Sequence, residues 1–139
     1  VEQNLANHRR MHPVYHYFLS LMVLLSLVSV VVYIVKEGFG LTSVLFLFIV
    51  LFMLVTFILL RSYPLKAQDR AIRAEENLRH YVLSGKLLDS KLSMGQITAL
   101  RFAGDAELPE LSKRAAEQNL SPEDIKKAIK QWRGDTYRV

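Results

Sequence analysis

The stretch that decides the fold runs from Pro13 to Leu60: PVYHYFLSLMVLLSLVSVVVYIV (13–35), the break KEGFG (36–40), then LTSVLFLFIVLFMLVTFILL (41–60). Neither long run holds an ionised side chain. A bilayer core of about 30 Å takes about 20 apolar helical residues to cross, and each run is that long. The pattern predicts a transmembrane helical hairpin over 13–60, with spans at about 13–35 and 41–60. Tyr15, Tyr17, Tyr33 and Tyr63 fall near the interfaces where amphipathic rings collect. Ser20, Ser26, Ser29, Ser43 and Thr56 are the only polar groups well inside. Their hydroxyls can bond to carbonyls of their own helix, and Ser26 with Ser29 offers a face on which the second span can approach closely.

Lys and Arg flank the hairpin unevenly. Arg9 and Arg10 precede it and Arg61, Lys66, Arg70 and Arg73 follow it, whereas the connecting loop has Lys36 beside Glu37. This places both termini in the cytoplasm. The first run is too long for the core of a cleaved leader and leads straight into the second, so it is expected to be retained. The chain has no cysteine, which excludes disulfides, thiolate metal sites and thiol nucleophiles.

The sequence divides into a basic N-terminal segment (1–12), the hairpin (13–60) and a cytoplasmic helical domain (61–139). In NHRRMHPVYH, His8, His12 and His16 recur every four residues, a spacing that can chelate a metal on one helix face. Pro13 belongs in the first turn of the span, however, which puts His16 inside the helix and His8 and His12 outside it. With no carboxylate or cysteine nearby, His8, Arg9, Arg10, His12 and His16 read as contacts to lipid headgroups.

In the last 79 residues, PLKAQDRAIRAEENLRHYVLSG reads as one long helix, with Pro64 at its start or at a kink and Gly85 as its stop. Ala67, Ala71, Ala74, Leu78 and Tyr81 alternate at spacings of four and three, a coiled-coil-like seam. It is expected to pack on the later helices, with self-association as the other use. Asp69 with Arg73, Glu75 with Arg79 and Glu76 with His80 form pairs four apart on the remaining, solvated surface.

Three short helices follow. Ser93 with Gln96 makes a capping box, Asp105 is the expected cap of the next helix, and Ser121-Pro122-Glu123-Asp124 is a strong start for the last. Ile125, Ala128, Ile129 and Trp132 would face the core along that last helix, with Lys126, Lys127, Lys130 and Arg133 turned outward as a basic face. Two helices joined by a short turn suggest a DNA reader. The balance of 15 Lys and Arg against 11 Asp and Glu after the hairpin, a net +4, argues against nucleic acid and for lipid or an acidic partner surface.

Taken together, QNLANHRRMHP (3–13), KAQDRAIRAEENLRHYVLSGKLLD (66–89), ITALRFAGD (97–105) and SPEDIKKAIKQWRGDTYRV (121–139) resemble a family of small bacterial membrane proteins classed as a domain of unknown function. The resemblance covers essentially the whole chain and implies a two-span protein of the bacterial cytoplasmic membrane. It brings no activity, cofactor or functional residue with it.

No phosphate-cradling loop or nucleophile with a base stands out, so the chain is read as no enzyme and as needing no cofactor. The expected function is that of a membrane-anchored interaction or assembly protein. Its docking surfaces would be the seam from Ala67 to Tyr81 and the basic face of the last helix. The alternative is a homo-oligomeric channel or pore. Membrane lipids and either further copies or a larger membrane complex are the expected partners.

Overall fold

A computed structural model describes residues 3–8 and 11–135. Among these residues there is no strand, only an isolated bridge between Ala103 and Trp132. A π-helical turn, Val14–Leu19, leads into α1 (Ser20–Glu37); α2 (Leu41–Ser84), α3 (Met94–Leu100), α4 (Leu108–Glu117) and α5 (Pro122–Ala128) follow. The chain forms two compact units, Met11–Pro64 on one hand and Val1–Arg10 with Leu65–Val139 on the other.

Two helices, Val14–Glu37 and Leu41–Ser84, are long and apolar enough to cross a membrane, and the first of them with the apolar part of the second makes up the first unit. Val35, Phe48 and Phe52 are all more than half exposed, so these helices do not bury their apolar sides as the core helix of a soluble domain would. Gly38, at φ +81°, ends α1 and donates its N–H to Ile34 O at 3.0 Å, a left-handed stop that suits glycine. Tyr15 stacks on Phe57 (4.6 Å between ring centres) and donates its hydroxyl to Phe57 O at 2.9 Å. Tyr33 meets Phe46 edge-on at 5.2 Å. As expected, Ser20 and Ser26 return their hydroxyls to the helical carbonyls of Tyr15 and Met22, whereas Ser43 donates to Gly38 O, before the start of its own helix. Ser29 is exposed.

Of the two readings of Pro64, the helix start is excluded. It lies inside α2, although proline removes a donor and crowds the carbonyl four residues earlier. The helix stops where expected: Gly85 has φ +72° and donates its N–H to Tyr81 O at 2.8 Å.

The second unit has its core in α3, α4, α5 and the loops around them, where Leu100, Phe102, Leu108 and Ile125 are fully buried. Burial of each such side chain contributes about 1.5–3 kcal/mol. Helix α3 carries the complete capping box, with Gln96 N–H donating to Ser93 Oγ at 3.3 Å and Ser93 N–H to Gln96 Oε1 at 2.8 Å. Replacing Ser93 with Ala is expected to lower the denaturation midpoint by the equivalent of about 1 kcal/mol. An unchanged midpoint would mean the cap contributes nothing.

Two local expectations are corrected. Helix α4 has Glu107 as its N-cap, with no side-chain capping bond, and Asp105 instead bonds to Arg79. Helix α5 is capped by Ser121 as expected but ends at Ala128. Beyond it, Lys130 N–H and Gln131 N–H donate to the Glu107 carboxylate, Gly104 N–H to Gln131 O, and Arg133 N–H to Phe102 O. These long-range bonds replace the helical ones. Trp132 still packs on the core, 5.3 Å from Phe102, but it arrives on an extended segment.

Candidate functional site

Beyond Pro64, helix α2 has two sides of opposite character, and their use inverts the expectation. Ile72, Glu76 and His80, spaced by four, are buried against the later segments, with the Arg79 side chain 11% exposed beside them. Ala67, Ala71, Ala74, Leu78 and Tyr81 are all exposed, Leu78 at 64% and Tyr81 at 54%. The seam therefore does not pack on the chain's own later helices.

The physical reason lies in hydrogen bonding. Arg79 donates from Nη2 to Ala103 O at 2.6 Å, from Nε to Asp105 Oδ1 at 2.7 Å and from Nη1 to Glu76 Oε2 at 3.0 Å. Arg133 Nη1 lies 3.6 Å from the other Glu76 oxygen. His80 Nδ1 bonds to Lys86 O at 2.6 Å, its Nε2 faces Ser112 Oγ at 3.0 Å, and Asn77 Oδ1 accepts from Leu88 N–H at 3.2 Å. Main-chain groups that leave water need partners, and the polar side of α2 supplies them. The expected pairs of Glu75 with Arg79 and Glu76 with His80 give way to Glu76–Arg79 and Arg79–Asp105.

An open groove of about 660 Å³ borders the bare side, lined by Lys66, Asp69, Arg70, Arg73, Ala74, Asn77 and Met94. Lys66, Arg70, Arg73 and Glu75 are exposed. Among the described residues none of these four makes an ion pair.

The four cations expected on one face of the last helix are dispersed. Lys126 lies with its Nζ 3.2 Å from His8 Nε2. Lys127 pairs with Glu123 at 2.9 Å, and that hydrogen bond holds its ammonium pKa above the ordinary lysine value. Lys130 is exposed past the helix end, and Arg133 turns to Glu76.

Sequence reasoning missed the place of the N-terminal segment. His8 lies against Phe102 and Trp132, with ring centres 5.9 and 6.0 Å apart, while Gln3 Oε1 accepts from Asp135 N–H at 2.7 Å. Leu5, Ala6 and His8 share a cavity of about 540 Å³ with Pro122, Glu123 and Lys126 of α5. His8 is thus engaged by the protein itself. His12 is exposed and donates its N–H to His16 Nδ1 at 3.0 Å; Arg9 and Arg10 lie outside the described residues.

Residues 1–139 match the model of a family of unknown function, DUF6526. No curated protein and no solved structure matches the chain.

Proposed function

Since the chain belongs to this family over its whole length and the family's function is unknown, its own residues carry the reading. We propose that it is a membrane-anchored interaction or assembly protein of a bacterial cytoplasmic membrane. In this reading α1 and the apolar part of α2 form a two-span hairpin, supported by the Tyr15–Phe57 and Tyr33–Phe46 contacts near opposite ends of the apolar runs. Both termini lie on the cytoplasmic side. The uneven spread of Lys and Arg supports this, as does His8 lying against Trp132, since two segments that touch share a compartment.

The observation that carries the functional reading is the bare side of α2 from Ala67 to Tyr81. An apolar helix face left in water, while the opposite polar side holds the tail together, is the mark of a surface that binds protein. Exchanging Ala71 and Ala74 for Glu puts bulk and charge into it without touching the core. The double variant is expected to keep its fold, by protease resistance and Trp132 fluorescence, and to lose its complex in native mass spectrometry of gently extracted membranes. Wild type should appear above the 16.0 kDa of one chain. A wild-type protein found only as a monomer, or a double variant that retains the complex, would overturn the reading.

A further inference from the structure

We propose that the occupant of the bare α2 side is a second copy of this chain, packed parallel and in register about a two-fold axis between Ala67 and Tyr81. The inference rests on the reading of that side as a docking surface and names its partner.

The spacing of the exposed apolar residues sets the geometry. Ala67, Ala71, Ala74, Leu78 and Tyr81 occupy alternating d and a positions of a heptad, the pattern that keeps two helices in contact along a left-handed supercoil. Leu78 and Tyr81 supply exposed apolar bulk, and the alanines let the backbones approach.

Charge selects the partner. In this register Arg70 is at g and Glu75 at the e position of the next heptad, five residues on. In a parallel two-fold pair, g of one helix faces that following e of the other. Arg70 would therefore meet the partner copy's glutamate and Glu75 its arginine, two ion pairs from one symmetry operation. Neither residue is spent inside the chain: among the described residues neither makes an ion pair, because Arg79, the natural neighbour of Glu75, is held by Glu76 and Asp105. An antiparallel pair would instead set g against g and e against e. Copies inserted in the membrane with the same topology bring their α2 helices together in the parallel sense, the one in which these charges match.

The chain has no cysteine, so single introduced cysteines report contacts without background. Full-length Ala74→Cys, Tyr81→Cys and, as an off-face control, Arg73→Cys are oxidised in native membranes. A disulfide requires Cα atoms within about 4.4–6.8 Å. Ala74→Cys and Tyr81→Cys are expected to give a band at twice the 16.0 kDa chain mass, and Arg73→Cys is not. Adding Arg70→Glu to Ala74→Cys should cut that band about fivefold, through two lost pairs and two like-charge contacts. Adding Glu75→Arg as well should restore it. No dimer band above the Arg73→Cys control, or a band indifferent to both charge changes, overturns the proposal. Cross-linking of Ala74→Cys to a different polypeptide, with no dimer, overturns the second copy and leaves the docking reading standing; no adduct of either kind sinks both.

Discussion

Replacing Arg79 with Ala lowers the stability of the helical tail by about 3–5 kcal/mol, the range for breaking a buried ion pair from one side. The guanidinium is 11% exposed and the Glu76 carboxylate beside it 6%. Removing it strands that carboxylate with Arg133 alone, 3.6 Å away, and takes the donor from Ala103 O. Glu76, Asp105 and the carbonyl are arranged around a planar fork. Arg79→Lys keeps the charge but not the fork, so its loss should be smaller yet still clear. Trp132 is the only tryptophan in the chain and packs on this core, so its fluorescence during denaturant unfolding of the full chain in micelles reads the effect. A loss below about 1 kcal/mol, the size of an exposed pair, would mean the network is not buried in solution. Domains of this size are stable by only about 5–15 kcal/mol, so the expected loss is a large share of the whole.

Phe102→Ala should cost about as much for a different reason. Phe102 is 1% exposed, lies among Trp132 and His8, and has the Arg101 guanidinium over its ring at 4.7 Å. Truncation loses the transfer energy of the ring and leaves a cavity, together about 3–5 kcal/mol. It also removes one of the two rings that His8 rests on, so proteolysis of the N-terminal segment should speed up even below the unfolding transition. If that segment is cleaved no faster, its contact with the core is incidental.

The parts of the fold that the sequence discloses are those set by local chemistry. Charge-free runs, the Ser93 and Ser121 caps and the Gly85 stop each depend on residues within one helical turn, and each stands where the pattern puts it. Pro64 left two readings open, a helix start and a position within a continuing helix, and the helix that persists on both sides excludes the first. The end of α5 misleads because Ile125, Ala128, Ile129 and Trp132 keep helical spacing, while the bonds that capture residues 130–133 come from Glu107, Gly104 and Phe102, far away in sequence. The seam was legible as a unit, but its orientation was not. Apolar content favours Ala67 to Tyr81 as the packed side; hydrogen-bonding demand from Ala103, Lys86 and Leu88 chose Glu76, Arg79, His80 and Asn77. Ile72, Glu76 and His80 at intervals of four are the signal for that choice, and it shows only when polar residues are counted as candidates for burial.

His8 and Lys126 touch across 118 positions of chain. This makes the helical module a product of segments that lie on both sides of the two apolar helices in the sequence. A segment made before the two apolar helices therefore waits for one made after them. Closing so long a loop costs little more than closing one of half the length. The Phe102 and Trp132 surface of the module is therefore complete only once His8 has returned to it.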